Sequence, residues 1–255
     1  MPTYRKNFLK HAIIKVDFNN MLPIDDNLPQ GVLEVAQRMF PLFEPKPAVH
    51  SEVTFSADGA KVTNAEHGTN WIFYGINREK ALIINREGLH REKTTISIDF
   101  FKYETFNILK QEFILIFNKF TDTFGDSQIG RLGLRYVNNI DIDERNPLNW
   151  SKYINTNLLS SFKFVDDKKS ISRVFNNLEM KYDDKNIKFQ YGMHNPDYPS
   201  PIKKKMFILD YDVYYTGEFD RSDLPVVIER YHDQIISLFE NSIRDGLRDK
   251  MNEQN

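Results

Sequence analysis

The sequence predicts an α+β protein built from two similar units, with a curved antiparallel sheet covered on one face by long helices. Three observations carry this reading. Each half of the 255 residues reads as one strand, one helix, three or four strands, and a long helix. Two long stretches place apolar residues on one side only, at helical spacing. A short pattern also recurs. "ISIDFFKYETF" (96–106) and "FILDYDVYYTGEF" (207–219) each set Asp, an aromatic, two residues and Tyr ahead of a turn and a long helix. Asp99, Phe100 and Tyr103 thus correspond to Asp210, Tyr211 and Tyr214, the signature of an internal duplication.

In the first half, "HAIIKVDF" (11–18) alternates as a strand. "QGVLEVAQRMFPLF" follows with Val32, Val35, Met39 and Phe40 at helical spacing and stops near Pro41. Strand-like runs come next: "VHSEVTFS", "NWIFYGIN", "ALIINREG" and "TTISIDFFKY", separated by turn formers such as "ADGAK" and "NREK". Thr105 is the expected N-cap of a helix whose stripe is Phe106, Leu109, Phe113, Ile116, Phe117 and Phe120. The second half opens on the strand "GLRYVNNIDI". It continues with a predicted helix, "WSKYINTNLLSSF", then strands "SRVFNNLEMKY", "IKFQYGM" and "KMFILDYDVYY", with "DDKN" as a tight turn. The last element is predicted as one helix from about Leu224 to Met251. Tyr231, Ile235, Phe239, Ile243, Leu247 and Met251 recur every four residues, and Asp223 serves as start signal. The units are 1–125 and 126–255, packed as one continuous domain. The order of elements matches the halves of TATA-binding-protein-like folds, and a helix-grip arrangement is the alternative.

"GLRYVNNIDI" (133–142) carries the most unusual chemistry. Alternation puts Leu132, Leu134, Tyr136, Asn138, Ile140 and Ile142 on one face, and Arg131, Gly133, Arg135, Val137, Asn139 and Asp141 on the other. Asn138 and Tyr136 read as structural polar groups of the core face. A buried amide without a partner costs about 1–3 kcal/mol, so Asn138 must bond to a strand end, a turn backbone or a water. Arg135 and Asn139, with Arg131, read as a recognition surface. Gly133 permits close approach of another backbone or marks a bulge.

The same stretch carries a resemblance. "RLGLRYVNNIDI", after a long helix, resembles the G-x-R-Y-x-N-x-I segment of a sporadically distributed family of uncharacterised prokaryotic proteins, matched by Gly133, Arg135, Tyr136, Asn138 and Ile140. "HAIIKVDF" and "YHDQIISLFENSIRDGLRDKM" are similar to that family's early strand and final helix. The resemblance implies no activity, cofactor or catalytic residue. It implies an accessory prokaryotic gene, such as a defence or toxin-neutralising module.

Composition narrows the function classes. Apolar residues make up 40% and aromatics 13%, with 20 Phe and 12 Tyr, so large rings must fill a folded core. A net charge of −2 gives no general pull toward polyanions. The chain has no cysteine, which excludes disulfides, thiolate metal sites and cysteine nucleophiles. No run of about eighteen apolar residues occurs, so no membrane span is expected and a cytoplasmic location is the expectation.

Six histidines, at 11, 50, 67, 90, 194 and 232, include no i, i+4 pair, so no zinc site is expected, and no cofactor. "DIDERN" groups Asp141, Asp143 and Glu144. It reads as a solvated turn, with divalent-cation binding as the sharper alternative. "GDSQIGRLG" lacks the P-loop Lys-Ser/Thr, and no G-x-S-x-G occurs. "MHNPDYPSPIKKK" (193–205) should be an exposed, semi-rigid loop, with His194, Lys203, Lys204 and Lys205 as candidate contacts.

With no catalytic motif beside a duplicated scaffold, the expected function is a non-enzymatic binding protein. It would meet a protein partner or small ligand through the open sheet face and the 193–205 loop. Nucleic-acid binding through a saddle-like sheet is the first alternative. An enzyme on a nucleotide or other anionic substrate, with Arg135 as anion clamp and His194 as base, is the second.

Overall fold

The computed structural model describes residues 4–19, 22, 24, 27–56, 59–87, 93–125 and 128–253. Over these the chain is a mixed α+β protein with a large antiparallel sheet and few helices. In chain order the elements are β1 (Leu9–Phe18), α1 (Gln30–Met39), β2 (Leu42–Phe43), β3 (Lys46–Ser56), β4 (Gly59–Tyr74), β5 (Lys80–Glu87), β6 (Lys93–Phe100), α2 (Phe106–Phe124), β7 (Ile129–Asp141), α3 (Ser160–Lys163), β8 (Val174–Lys181), β9 (Asn186–Met193), β10 (Met206–Phe219), α4 (Leu224–Ser242) and α5 (Asp245–Asn252). His90, the side chains of His50 and His67, and the first part of the "ADGAK" turn lie outside the described residues.

The chain divides into two compact units. One comprises Ile13–Gly133 and Thr216–Val226. Its strands bond in the order β2-β4-β5-β6-β1-β7, with β3 also on β4. Alternation buries Ile14, Val16 and Phe18 of β1. The apolar stripe of α2 meets them, and Phe18 stacks on Phe117 and Phe120 with ring centres 6.3 and 5.7 Å away. Thr105 caps α2 as its sequence implies, its side chain accepting from the Ile108 N–H at 3.3 Å. Lys80 lies over the Phe40 and Phe100 rings and ion-pairs with Glu112 at 2.7 Å.

The other unit comprises Met1–Ala12, Leu134–Tyr215 and Val227–Asn255, with strand order β1-β7-β10-β9-β8. Phe207, Leu209, Tyr211 and Val213 of β10 are buried, and Tyr211 stacks on Phe189 at 4.6 Å. Ile228, Tyr231, Ile235 and Phe239 of α4 are buried, as are Leu247 and Met251 of α5.

Two expectations are corrected. The last helix is two helices, because Ile243 leaves the spiral to form an antiparallel bridge with Ile154. Asn155 N–H donates to the Ser242 carbonyl, and Arg244 N–H to the Tyr153 carbonyl. Apolar spacing survives the break because Leu247 and Met251 resume it. The predicted helix 150–162 is replaced by turns, a 3-10 turn at Thr156–Leu159 and the four-residue α3. Burial of Trp150, Tyr153 and Ile154, and that same bridge, override helical periodicity. Asp223 directly precedes α4, and Asp220 caps the turn before it. The Asp220 carboxylate accepts from the Ser222 N–H at 2.9 Å, and a 3-10 turn (Arg221–Asp223) then leads into α4.

Gly192 in β9 has φ of 153°, and a Cβ there would fall 2.0 Å from the Val174 carbonyl oxygen of β8. Gly192→Ala should therefore cost about 2–4 kcal/mol in urea unfolding, because the β8–β9 ladder must shift to admit one methyl group.

Candidate functional site

The candidate site is the outward side of β7, β10, β9 and β8 in the second unit. It follows from alternation: the even residues of β7 are buried, and Arg135 and Asp141 are exposed. In β10 the same rule turns Ile208, Asp210, Asp212 and Tyr214 outward. Register carries the side across β9 and β8, where Asp210 stands opposite Gln190 and Asp212 opposite Lys188. Gln190 then faces Asn177, Lys188 faces Glu179, and Asn186 faces Lys181.

Arg135 is bound to Asp210 in a two-point ion pair, Nε to Oδ1 at 2.9 Å and Nη2 to Oδ2 at 2.7 Å. Asp210 is 7% exposed. This geometry locks the guanidinium plane against the sheet. Asn139 is half-buried. Its N–H donates to the Phe8 carbonyl at 2.9 Å, while its Oδ1 is buried and accepts no hydrogen bond from the described residues. Arg131 belongs to the other unit, where its guanidinium lies over Gly133: a Cβ on that glycine would meet Arg131 Nη1 at 3.1 Å. The glycine thus makes room for a side chain and not for a second backbone.

The buried side of β7 carries two polar groups. Asn138 Nδ2 donates to the Leu209 carbonyl of β10 at 3.4 Å. Tyr136 Oη lies 2.9 Å from Nδ1 of His232 on α4. Burial lowers the His232 pKa from 6.5 to about 4, against a smaller opposing effect of Asp233. The imidazole is therefore neutral at pH 7, and one of the two groups donates to the other.

The 193–205 loop is more anchored than its prolines and lysines imply. Asn195 is buried and donates to the Ser172 and Ser200 carbonyls at 2.9 and 2.6 Å. Ile202 N–H bonds to the Ile171 carbonyl, and the Tyr198 ring lies 3.9 Å from the Arg173 guanidinium. His194 is half-buried, and Lys203 and Lys204 are exposed. Lys205 corrects the expectation of an exposed triplet. It is 3% exposed, with Nζ 2.6 Å from Glu144 and over the rings of Trp150 and Tyr153. Glu144 also accepts from the Tyr153 hydroxyl, whose pKa burial pushes up to about 12. "DIDERN" thus ends in a carboxylate already committed to a lysine. Among the described residues, no group of three or more His, Cys, Asp or Glu is placed to hold a metal ion.

A hollow of 420 Å³ lies in the other unit among Ile114, Phe117, Asn118, Arg221, Leu224 and Pro225. None of the candidate binding residues named from the sequence lines it, and Arg221 there is paired with Asp122 at 2.8 Å. Residues of the outward side that the sequence reading passed over are Asp212, Lys188, Gln190 and Glu179. Their strands were recognised. Knowing which alternate set faces outward needed the pairing register.

No protein-family model matches the chain, and no curated protein matches it. Among solved structures the chain is similar to the di-domain ARO/CYC StfQ from the steffimycin biosynthetic pathway. Identity is 10% over 89% of this chain and 93% of that one, with a TM-score of 0.22. At that score the likeness carries no argument about fold or function.

Two outcomes test the site's energetics. Arg135→Ala should cost about 1–2 kcal/mol by leaving the Asp210 carboxylate shielded and unpaired, discounted for the partly exposed guanidinium. A double-mutant cycle with Asp210→Asn should recover much of that loss. For His232, the unfolded chain binds a proton between pH 6.5 and about 4 that the folded ring excludes. Its contribution is full above pH 6.5, falls as pH drops through that window, and changes no further below about 4. Urea midpoints of the wild type minus those of His232→Gln should trace this curve, with an amplitude on the order of 1–2 kcal/mol after discounting the ring's partial exposure.

Proposed function

We propose that this chain is a non-enzymatic binding protein. It presents the outward side of β7, β10, β9 and β8, with the 193–205 loop, to a protein partner in an accessory prokaryotic system of the defence or toxin-neutralising kind. The observation that carries this reading is the sign balance of the surface. On the sheet side three cations, Arg135, Lys181 and Lys188, stand with four carboxylates, Asp141, Asp210, Asp212 and Glu179, and the loop adds Lys203 and Lys204 against Asp197. Arg135 is paired, and Lys188 stands between Asp212 and Glu179 in register. Phosphate binding needs cations free to displace counterions, and this side does not offer a cationic face. A mixed polar surface on a rigid sheet suits a protein face of matching pattern.

The finer architecture belongs to the same proposal: two duplicated β-α-β-α units, 1–125 and 126–255. Strand order supports it. In the first unit the initial strand β1 neighbours the last strand β6, followed by β5 and β4. In the second, β7 neighbours β10, followed by β9 and β8. Each series ends in a long helix, which favours the TATA-binding-protein-like arrangement over a helix-grip with one enclosed helix. That order is also what favours the nucleic-acid alternative. No helix among the described residues is long and apolar enough to cross a membrane.

Charge reversal separates the readings. Lys188→Glu with Asp212→Lys should weaken capture of the native partner at least about tenfold, while circular dichroism shows the fold retained, because both groups are half-buried on the outward side and not in the core. Single-stranded and duplex oligonucleotides should not bind at low salt. Binding with a steep salt dependence would replace the protein-partner reading with the nucleic-acid one.

A further inference from the structure

We infer that the chain self-associates through β8, pairing antiparallel with the β8 of a second copy in a register centred on Asn176. β8 ends its strand series, and its outer edge bonds to no strand among the described residues. The inner edge is identified by the turn: Tyr182 N–H donates to the Lys185 carbonyl at 2.8 Å, so even-numbered residues bond to β9. Odd-numbered residues from Arg173 to Lys181 therefore turn their N–H and C=O groups outward, as a ready strand template.

Two of the usual protections of such an edge, proline and a bulge, are absent from β8, whose charges are Glu179 and Lys181. It contains no proline, and its pairing with β9 runs without a bulge from Val174 to Lys181. It also exposes apolar side chains, Phe175 at 49% and Leu178 at 48%. An eight-residue strand of this kind is stable in water when something covers it.

Charge selects a second copy, and selects the register. Only even sums of residue numbers place facing side chains on the same side of a continued sheet. Centred on Asn176, Arg173 faces Glu179 twice over, Val174 faces Leu178, and Phe175 faces Asn177. Centring on Asn177 sets Arg173 against Lys181, and centring on Glu179 sets that carboxylate against itself. Centring on Leu178 sets Arg173 against Asp183 of the turn and forms no ion pair between the strands themselves, and centring on Met180 runs into the Asp183–Asp184 turn. The Asn176 register is self-complementary and closes as a two-fold dimer with no edge left to extend. The inference stands apart from the proposed function, because it uses the strand's edge and not the sheet's outward side.

Sedimentation velocity on the full chain from about 1 to about 200 μM should show a concentration-dependent dimer. R173E and E179R should each weaken it at least about tenfold by opposing like charges, and R173E/E179R should restore it to within about threefold. The Arg173–Tyr198 stack is lost in R173E and in the double variant alike, so restoration isolates the strand pairing. Asn177→Pro removes an outward N–H while sparing the ladder to β9, and should abolish the dimer with unchanged circular dichroism. If that variant misfolds, the charge exchange decides alone. A chain monomeric across the range, or a dimer indifferent to the charge exchange, overturns the inference.

Discussion

Strands β1, β7 and β10 each have one side that must stay dry, and a backbone repeat of two makes that choice for all the side chains of a strand at once. On β7 a slip of one residue would bury Arg135 and expose Leu132, Leu134, Ile140 and Ile142. Polar bonds hold the strand against that slip from both sides. On the dry side Asn138 reaches the Leu209 carbonyl and Tyr136 meets His232, and on the wet side Arg135 grips Asp210. Two of these three join β7 to β10. Polar groups placed mid-strand therefore do work that Leu or Val cannot: hydrophobic burial is indifferent to sliding by two residues, and a directed bond is not.

A related economy governs two lysines, the half-buried Lys80 and the buried Lys205. Lys80 and Lys205 each place an ammonium against a carboxylate and over two aromatic rings. An ammonium taken from water loses strong hydration, and neither a carboxylate nor a ring face alone replaces it. Together they supply charge on one side and a negative ring face on the other, while the aliphatic stem packs as a hydrophobe. Lys205 thereby ties the start of β10 to the turn after β7 through Glu144, and to the Trp150–Tyr153 segment. That segment in turn sets Ile154 against Ile243.

Elements whose burial is one-sided were legible in the sequence. The stripes of α1 and α2, the Thr105 cap, and the alternation of β1, β7 and β10 all follow from local spacing. What stayed hidden depends on contacts far along the chain. The break at Ile243 lies inside unbroken four-residue spacing, because the strand bridge to Ile154 keeps that side chain buried while ending the helix. The 150–162 segment carries helical spacing whose apolar residues are spent on a folded-back turn. Lys205 reads as the third of three solvated lysines until Glu144, sixty-one residues earlier, is found beside it. Of the candidate site, the outward set on β7 was readable, and its chemistry was not. Arg135 looks like a free cation until register sets Asp210 opposite, although the repeated Asp-aromatic-x-x-Tyr pattern had already marked that aspartate.

The Arg135–Asp210 pair also decides what the surface can bind. An anionic ligand seeking the guanidinium would have to displace a carboxylate that accepts two hydrogen bonds from it and is itself largely shielded from water. Displacement would leave Asp210 uncompensated beside the incoming negative charge, so the ligand would lose twice: once in breaking a charge-assisted pair and again in repulsion. A partner that leaves the pair intact meets no such opposition. Lys188 with its flanking carboxylates can exchange bonds with charges of either sign. On the proposed reading the ion pair disfavours free phosphate and carboxylate ligands, and the surface keeps the mixed polarity expected of a protein-binding face.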